Sequence, residues 1–97
     1  MSDITGSVNV GGGASIKYDV DPSVPQVTCE LDFEGVKLGS ATLNKSNASA
    51  SIGGSVAGTT CKATLTANFS AETVTYSVVI DTPFSKKKTY NGTVVSW

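Results

Sequence analysis

Apolar and polar residues alternate one by one along most of the chain. In one clear stretch, Val27, Cys29, Leu31 and Phe33 are each separated by a single polar residue. A period of two places every second side chain on the same face of a β-strand. The sequence therefore predicts an all-β domain in which half-buried antiparallel strands surround one core.

Turn-forming residues divide the alternating stretches into eight predicted strands, and no stretch has a helical period. Glycine supplies the backbone conformations that tight turns need, and proline cannot donate a hydrogen bond to a β-ladder. The predicted strands span residues 4–10, 14–20, 26–33, 36–43, 48–52, 60–69, 73–81 and 89–96.

Short connections between the predicted strands favour antiparallel pairing of neighbours in sequence. Two architectures satisfy this pattern: an antiparallel β-sandwich of about eight short strands, and a small closed β-barrel. We favour the sandwich, because Ala48, Ala50 and Ala63 are too small to fill the interior of a tight barrel. All 97 residues are assigned to one domain, since a chain of this length builds a single core.

The dipeptide Glu34-Gly35 predicts a two-residue hairpin turn, which fixes the register of the flanking strands. The predicted pairs are Phe33 with Val36, Asp32 with Lys37, and Leu31 with Leu38. The apolar positions change parity later in the same strand, which predicts a β-bulge near Gly39-Ser40. In the last strand, Val94 and Val95 compete for the inward position.

Composition excludes several classes of chemistry. The formal net charge is −1, there is no His, and all seven basic residues are Lys. The chain thus lacks the side chain best suited to proton transfer near neutral pH, and it lacks the planar guanidinium that grips phosphates. We expect a protein without catalytic activity, cofactor or bound metal, and we expect no nucleic-acid partner.

Cys29 and Cys61 both fall at inward positions of predicted strands and enclose 31 residues. Closing a loop of this size would stabilise the fold by about 3–4 kcal/mol. We favour an intersheet disulfide, with two unbonded core thiols as the alternative. Two cysteines this far apart, in a chain without His, make a poor zinc site.

A polar, nearly uncharged face is predicted on the sixth and seventh strands. Hydroxyl and amide groups on a rigid sheet can bind sugars through directional hydrogen bonds, or can order water. The alternative is a solvated face, where Thr occurs because it favours strands. The candidate ligand-binding residues on this face are Thr64, Thr66, Asn68 and Thr75, beside Lys62, Thr73 and Ser77.

Aromatic and basic residues gather near the C-terminus and form a second candidate site. Such a cluster can bind an anionic membrane, nucleic acid or sugar rings, and three lysines attract an anionic membrane only weakly. The alternative is a charged loop that protects an edge strand, with the last residue closing the core. The residues are Phe84, Lys86, Lys87, Lys88, Tyr90 and Trp97.

Two further patterns concern surface chemistry. The carboxylates of Glu30, Asp32 and Glu34 share a predicted outward face, which we interpret as a solvated acidic face with Lys37 neutralising Asp32. Four asparagines lie in Asn-x-Ser/Thr sequences, which hints at glycosylation in a eukaryotic host. These are Asn44, Asn47, Asn68 and Asn91.

Together these features predict a small non-enzymatic binding module, lectin-like and carbohydrate-binding. Two alternatives are a self-associating surface or coat protein and a small secreted toxin or inhibitor that acts at a membrane or on an enzyme. The first residues do not form a signal peptide. We expect an extracellular protein if the chain is a mature one, and a cytoplasmic location stays open.

Overall fold

The computed structural model describes residues 3–97, which form eight antiparallel β-strands in two four-stranded sheets. The first sheet has the order β1-β2-β3-β4 and the second has the order β5-β6-β7-β8. Because no strand of one sheet pairs with a strand of the other, the predicted sandwich is confirmed and the closed barrel is wrong. The strands are β1 Ile4–Gly11, β2 Ala14–Asp21, β3 Gln26–Phe33, β4 Val36–Asn44, β5 Ser49–Val56, β6 Thr59–Asn68, β7 Thr73–Asp81 and β8 Lys88–Ser96.

Within each sheet, strands that are neighbours in sequence pair with each other, so both sheets are simple meanders. The molecule measures 46 × 21 × 19 Å. One end, called the loop end, holds the turns 12–13, 34–35 and 57–58 and the loop 82–87. The opposite end, called the C-terminal end, holds the connections 22–25, 45–48 and 69–72 and residue 97. No helix within residues 3–97 is long and apolar enough to cross a membrane.

The core lies between the two sheets and takes up their inward-facing side chains. Strand β6 shows the rule most clearly, because its residues alternate strictly between buried and exposed from Thr60 to Asn68. Each large apolar side chain that is fully buried stabilises the fold by about 1.5–3 kcal/mol. The largest fully buried side chains are Ile16, Leu31, Leu43, Leu65, Val20, Val27, Val74 and Val78.

The predicted hairpin at Glu34-Gly35 is confirmed, and so is the bulge that follows it. Both turn residues have positive φ, 53° and 78°, as a type I′ turn requires. The pairs of Phe33 with Val36 and of Asp32 with Lys37 form as predicted. Leu31 pairs with Gly39 instead of Leu38, because Leu38 is the extra residue of the bulge.

A second bulge, in β8, resolves the competition between Val94 and Val95. Val74 pairs with Val95 and Thr75 pairs with Thr93, so Val94 is the extra residue. Both valines are buried, with exposed fractions of 5% and 7%. The bulge therefore adds a second apolar side chain to the core.

Two tyrosines occupy equivalent places in the two sheets and cover glycines on the neighbouring edge strands. A Cβ atom on Gly6 would lie 2.5 Å from the hydroxyl oxygen of Tyr18, and one on Gly92 would lie 2.7 Å from that of Tyr76. The lack of a side chain at these glycines therefore lets the two tyrosine rings pack directly against β1 and β8.

The favoured disulfide is not formed: Cys29 and Cys61 are both buried and unbonded. Burial raises the pKa of the Cys29 thiol to about 11 and also raises the pKa of the Cys61 thiol. The two groups therefore behave as small apolar core side chains, which was the alternative prediction.

No disulfide forms because the two cysteines lie at different positions along the long axis of the sandwich. Gly39 faces Ile52 across the sandwich, since a Cβ on Gly39 would lie 2.9 Å from Cγ2 of Ile52. Measured along the strands from this Gly39–Ile52 contact, Cys29 lies two residues toward the C-terminal end. Cys61 lies two residues toward the loop end, so the two cysteines are offset by four residues. Four residues correspond to about 13 Å along a strand. A disulfide joins Cα atoms about 4.4–6.8 Å apart.

Candidate binding face

The outward side of the second sheet carries two rows of small polar side chains that cross all four strands. We call these eight residues the hydroxyl face. The first row is Ser49, Thr66, Thr75 and Thr93, and the second row is Ser51, Thr64, Ser77 and Asn91.

Local sequence explains why the rows are regular. In β6 the inward positions are taken by Ala63, Leu65 and Ala67, so the threonines between them must point outward. In β8 the bulge at Val94 comes directly after Thr93, so the strand stays in register with β7 across both rows. The β-branched Thr side chain also favours the extended backbone.

The side chains of the hydroxyl face make few hydrogen bonds to the protein. Among the described residues, their single hydrogen bond runs from Thr75 Oγ1, as donor, to the backbone oxygen of Thr66 at 3.5 Å. A hydroxyl group can donate one hydrogen bond and accept two. Most of this capacity therefore points to solvent. Neither row contains a carboxylate or an ammonium group, and Lys62 lies on the next row toward the loop end.

An open depression of about 470 Å³ lies over β6, β7 and β8. The hydroxyl-face residues that line it are Thr64, Thr66, Thr75, Ser77, Asn91 and Thr93.

Three of the four residues predicted for this face, Thr64, Thr66 and Thr75, lie on it. The fourth, Asn68, ends β6, and its Oδ1 accepts hydrogen bonds from the backbone N–H groups of residues 70 and 71 at 3.1 and 3.0 Å. Its side chain therefore serves the turn. Sequence reasoning missed the residues of β5 and β8, although the pairing of neighbouring strands would have extended both rows.

The predicted C-terminal cluster is divided between the two ends of the sandwich. Phe84 and the three lysines belong to the loop end. Trp97 lies at the C-terminal end, where its backbone N–H donates to the oxygen of Glu72 at 2.9 Å and its ring packs edge-on against Phe69 at 6.1 Å. Tyr90 is half-buried and packs against the core. These residues are close in sequence, but strand β8 runs between the two ends of the sandwich and so holds them apart.

The outward side of the first sheet is charged, and four of its charged side chains form ion pairs. Lys17 Nζ lies 3.7 Å from Glu30 Oε2 and 3.6 Å from Asp32 Oδ2. Lys37 Nζ lies 3.5 Å from Glu30 Oε1, so its partner is Glu30 and not the predicted Asp32. Glu34 belongs to the hairpin turn and leaves this face. The charges of Lys17 and Lys37 are therefore neutralised by those of Glu30 and Asp32 on this face.

Carboxylates also meet at the C-terminal end of the first sheet. Asp3 and Asp19 share a hydrogen bond, which raises the pKa of Asp3. Ser23 Oγ donates to Asp21 Oδ1 at 2.6 Å and lowers the pKa of that carboxyl. Within residues 3–97, no group of three His, Cys, Asp or Glu side chains is arranged to hold a metal ion.

The four asparagines of the glycosylation sequences differ in environment. Asn44 Oδ1 accepts hydrogen bonds from the backbone N–H groups of residues 46 and 47, so it supports a turn, as Asn68 does. Asn47 and Asn91 are exposed, and Asn91 belongs to the hydroxyl face. Glycosylation stays a prediction from the sequence.

No family model matches the chain, and comparisons with curated proteins and with solved structures give no match.

Proposed function

We propose that the protein is a non-enzymatic module that binds neutral carbohydrate on its hydroxyl face. The observation that carries the proposal is the pair of rows formed by seven hydroxyl side chains and one amide on a continuous four-stranded sheet. These groups have almost no partners within residues 3–97.

The chemistry of the face complements a sugar. Sugar hydroxyls donate and accept hydrogen bonds, and so do Ser, Thr and Asn side chains. The absence of charge in both rows favours a neutral ligand, because a charged ligand would lose solvation without gaining an ionic partner. The methyl groups of Thr offer apolar contact to the C–H groups of a sugar ring.

The array also favours an oligosaccharide over a single sugar. Neighbouring strands lie about 4.8 Å apart, so similar side chains recur at short intervals across the sheet. A chain of sugar units lying across the strands would meet the same kind of donor and acceptor at each step. A rigid sheet keeps these groups in position and lowers the entropic cost of binding.

Isothermal titration with a panel of neutral oligosaccharides tests the proposal. The double variant Thr66→Val/Thr75→Val removes two neighbouring hydroxyls and keeps shape and strand propensity. We expect it to weaken binding about tenfold or more, since each hydrogen bond contributes about 0.5–1.5 kcal/mol.

The matched control is Thr28→Val/Thr42→Val, which removes a cross-strand hydroxyl pair, 3.3 Å apart, from the other sheet. This variant should bind as the wild type does. Flat titrations across the panel, or an equal loss in both double variants, would refute the assignment.

A second candidate function, a self-assembling structural protein, is favoured by strand β5. This edge strand carries no charged residue and no proline, and its register with β6 runs unbroken over eight pairs. Each of the other edge strands, β1, β4 and β8, contains a bulge. Bulges and charges are the usual protection of edge strands against pairing between molecules.

The hydrogen-bond pattern identifies the open groups of β5. The backbone N–H of Ala67 donates to the oxygen of Ala48 at 2.7 Å, so even-numbered residues bond to β6. In an antiparallel ladder the alternate residues point the other way. The backbone groups of Ser49, Ser51, Gly53 and Ser55 therefore face away from β6.

Sedimentation velocity over a range of concentrations tests this second candidate. Ser51→Pro removes one outward-facing N–H without breaking a bond to β6, so it should abolish concentration-dependent association. Ser51→Ala is the matched control and should associate as the wild type does. A wild-type protein that stays monomeric at every concentration would exclude self-assembly.

A further inference from the structure

The loop 82–87 between β7 and β8 presents an apolar ring at the tip of a turn. The backbone N–H of Ser85 donates to the oxygen of Thr82 at 3.2 Å and closes a four-residue turn. Pro83 takes the second position, and Phe84 takes the third with a φ of 69°. This is the pattern of a type II turn, whose third position usually requires glycine.

No packing contact within residues 3–97 accounts for a phenylalanine at this position. A left-handed backbone is unfavourable for any residue with a Cβ atom, and most of all for a bulky one. The side chain of Phe84 is fully exposed, at 108% of its reference area, so packing does not compensate for the strain. Strained residues of this kind concentrate at functional sites.

A second, independent observation concerns charge. Lys86, Lys87 and Lys88 follow the turn directly and are all exposed. None of the three forms an ion pair within the described part of the chain. The loop end also contains Asp81 and Glu34, so the lysines give it a modest positive excess.

The opposite end of the molecule is acidic. Asp3, Asp19, Asp21 and Glu72 lie toward the C-terminal end, where Lys45 is the nearby basic residue. The charge is thus polarised along the 46 Å axis of the sandwich. Such a molecule approaches a negative surface with its loop end first.

We propose that the loop end docks on an anionic lipid surface. Phe84 enters the boundary between headgroups and acyl chains, and Lys86, Lys87 and Lys88 lie against the anionic headgroups. In this orientation the long axis of the sandwich points away from the membrane, and the hydroxyl face stays open to solvent. The inference rests on different residues from the proposed function and can fail independently of it.

Co-sedimentation of the whole chain with vesicles tests the inference. We expect binding to phosphatidylcholine vesicles that contain phosphatidylserine, little binding to pure phosphatidylcholine vesicles, and a fall in binding with added salt. Phe84→Gly should weaken binding about tenfold. Replacing Lys86, Lys87 and Lys88 by Ala should remove the dependence on phosphatidylserine.

The variants separate docking from folding. Phe84→Gly relieves the left-handed strain, so its melting temperature should equal or exceed that of the wild type. Val24→Gly removes an apolar side chain, 60% exposed, from the C-terminal end and should leave vesicle binding unchanged. Binding that ignores phosphatidylserine, or that survives Phe84→Gly in full, would overturn the inference. Tighter binding to a single-stranded oligonucleotide than to the vesicles would overturn it too.

Discussion

The two sheets share one plan and differ in what they present to solvent. Both are four-stranded meanders, both fill the core from every second position, and both cover an edge glycine with a tyrosine. The outward side of the first sheet carries Lys17, Glu30, Asp32 and Lys37 in a network of ion pairs. The hydroxyl face, on the outward side of the second sheet, carries side chains with almost no hydrogen-bond partners among residues 3–97.

The difference shows how a surface becomes available to a ligand. Lys17, Glu30, Asp32 and Lys37 on the first sheet already have partners across the strands, so a ligand would have to compete with these ion pairs. The side chains of the hydroxyl face form no hydrogen bonds with one another among the described residues, so a ligand there competes mainly with water. Two sheets of the same topology can thus differ in their outward faces. One face has paired charges, and the other has unused hydrogen-bonding groups.

The largest expected effect tests whether the two sheets fold as one unit. Leu31 in the first sheet and Leu65 in the second are both fully buried. We expect Leu31→Ala and Leu65→Ala each to lower the free energy of unfolding by about 2–5 kcal/mol. Because both side chains belong to one core, each variant should shift the whole transition.

Urea unfolding, followed by Trp97 fluorescence and by far-UV circular dichroism, checks this prediction. Trp97 reports on the end of the second sheet, and the dichroism signal reports on both sheets. Coincident transitions are expected in both variants. If Leu31→Ala lost the first sheet while Trp97 kept its folded environment, the two sheets would unfold independently and the prediction would be wrong.

The next effect concerns the unbonded thiols. Burial raises the pKa of Cys29 to about 11, so the folded state keeps its proton while the unfolded chain loses it near pH 9. In that window the folded state binds more protons, and stability falls as the pH rises. We expect a loss of about 1–3 kcal/mol between pH 9 and pH 11.

Urea midpoints of the wild type and of Cys29→Ala across this pH range measure the loss. The variant lacks the titrating thiol, so its stability should fall less steeply. Identical pH profiles would contradict the prediction. The intact mass without reduction is the control, and it should equal the mass after reduction because no disulfide is present.

The smallest effect compares one lysine from each outward face. Lys17 contacts two carboxylates, whereas Lys62 forms no ion pair among the described residues. Lys17→Met should lower the free energy of unfolding by about 0.2–1 kcal/mol at low salt and by less at high salt. Lys62→Met should change it by less than about 0.5 kcal/mol. Equal costs for both variants would mean that the charge network adds no stability.

Sequence reasoning predicted which side of each strand a residue occupies. The period of two placed Leu31, Leu65 and the two cysteines in the core and Thr64 on the surface. The bulges were also partly predictable, because a strand that changes parity must contain an extra residue. These features depend only on local order along one strand.

The period of two says nothing about the level of a residue along the sandwich. Cys29 and Cys61 have the right parity for a disulfide, and four residues of offset keep them apart. Phe84 and Trp97 are close in sequence, and β8 carries them to opposite ends. The hydroxyl face cannot be predicted in full from one strand, because it depends on the pairing register of all four strands. Each of its two rows includes one residue of β5 and one residue of β8.

The division of the chain into sheets has a consequence for its covalent continuity. The first sheet ends at Asn44 and the second begins at Ser49, so each sheet is made by one unbroken half of the chain. Each half alone would expose the apolar side that the other half covers. A single backbone cut in the connection 45–48 would therefore turn folding into the association of two fragments. The stability of the protein would then depend on the concentration of its halves.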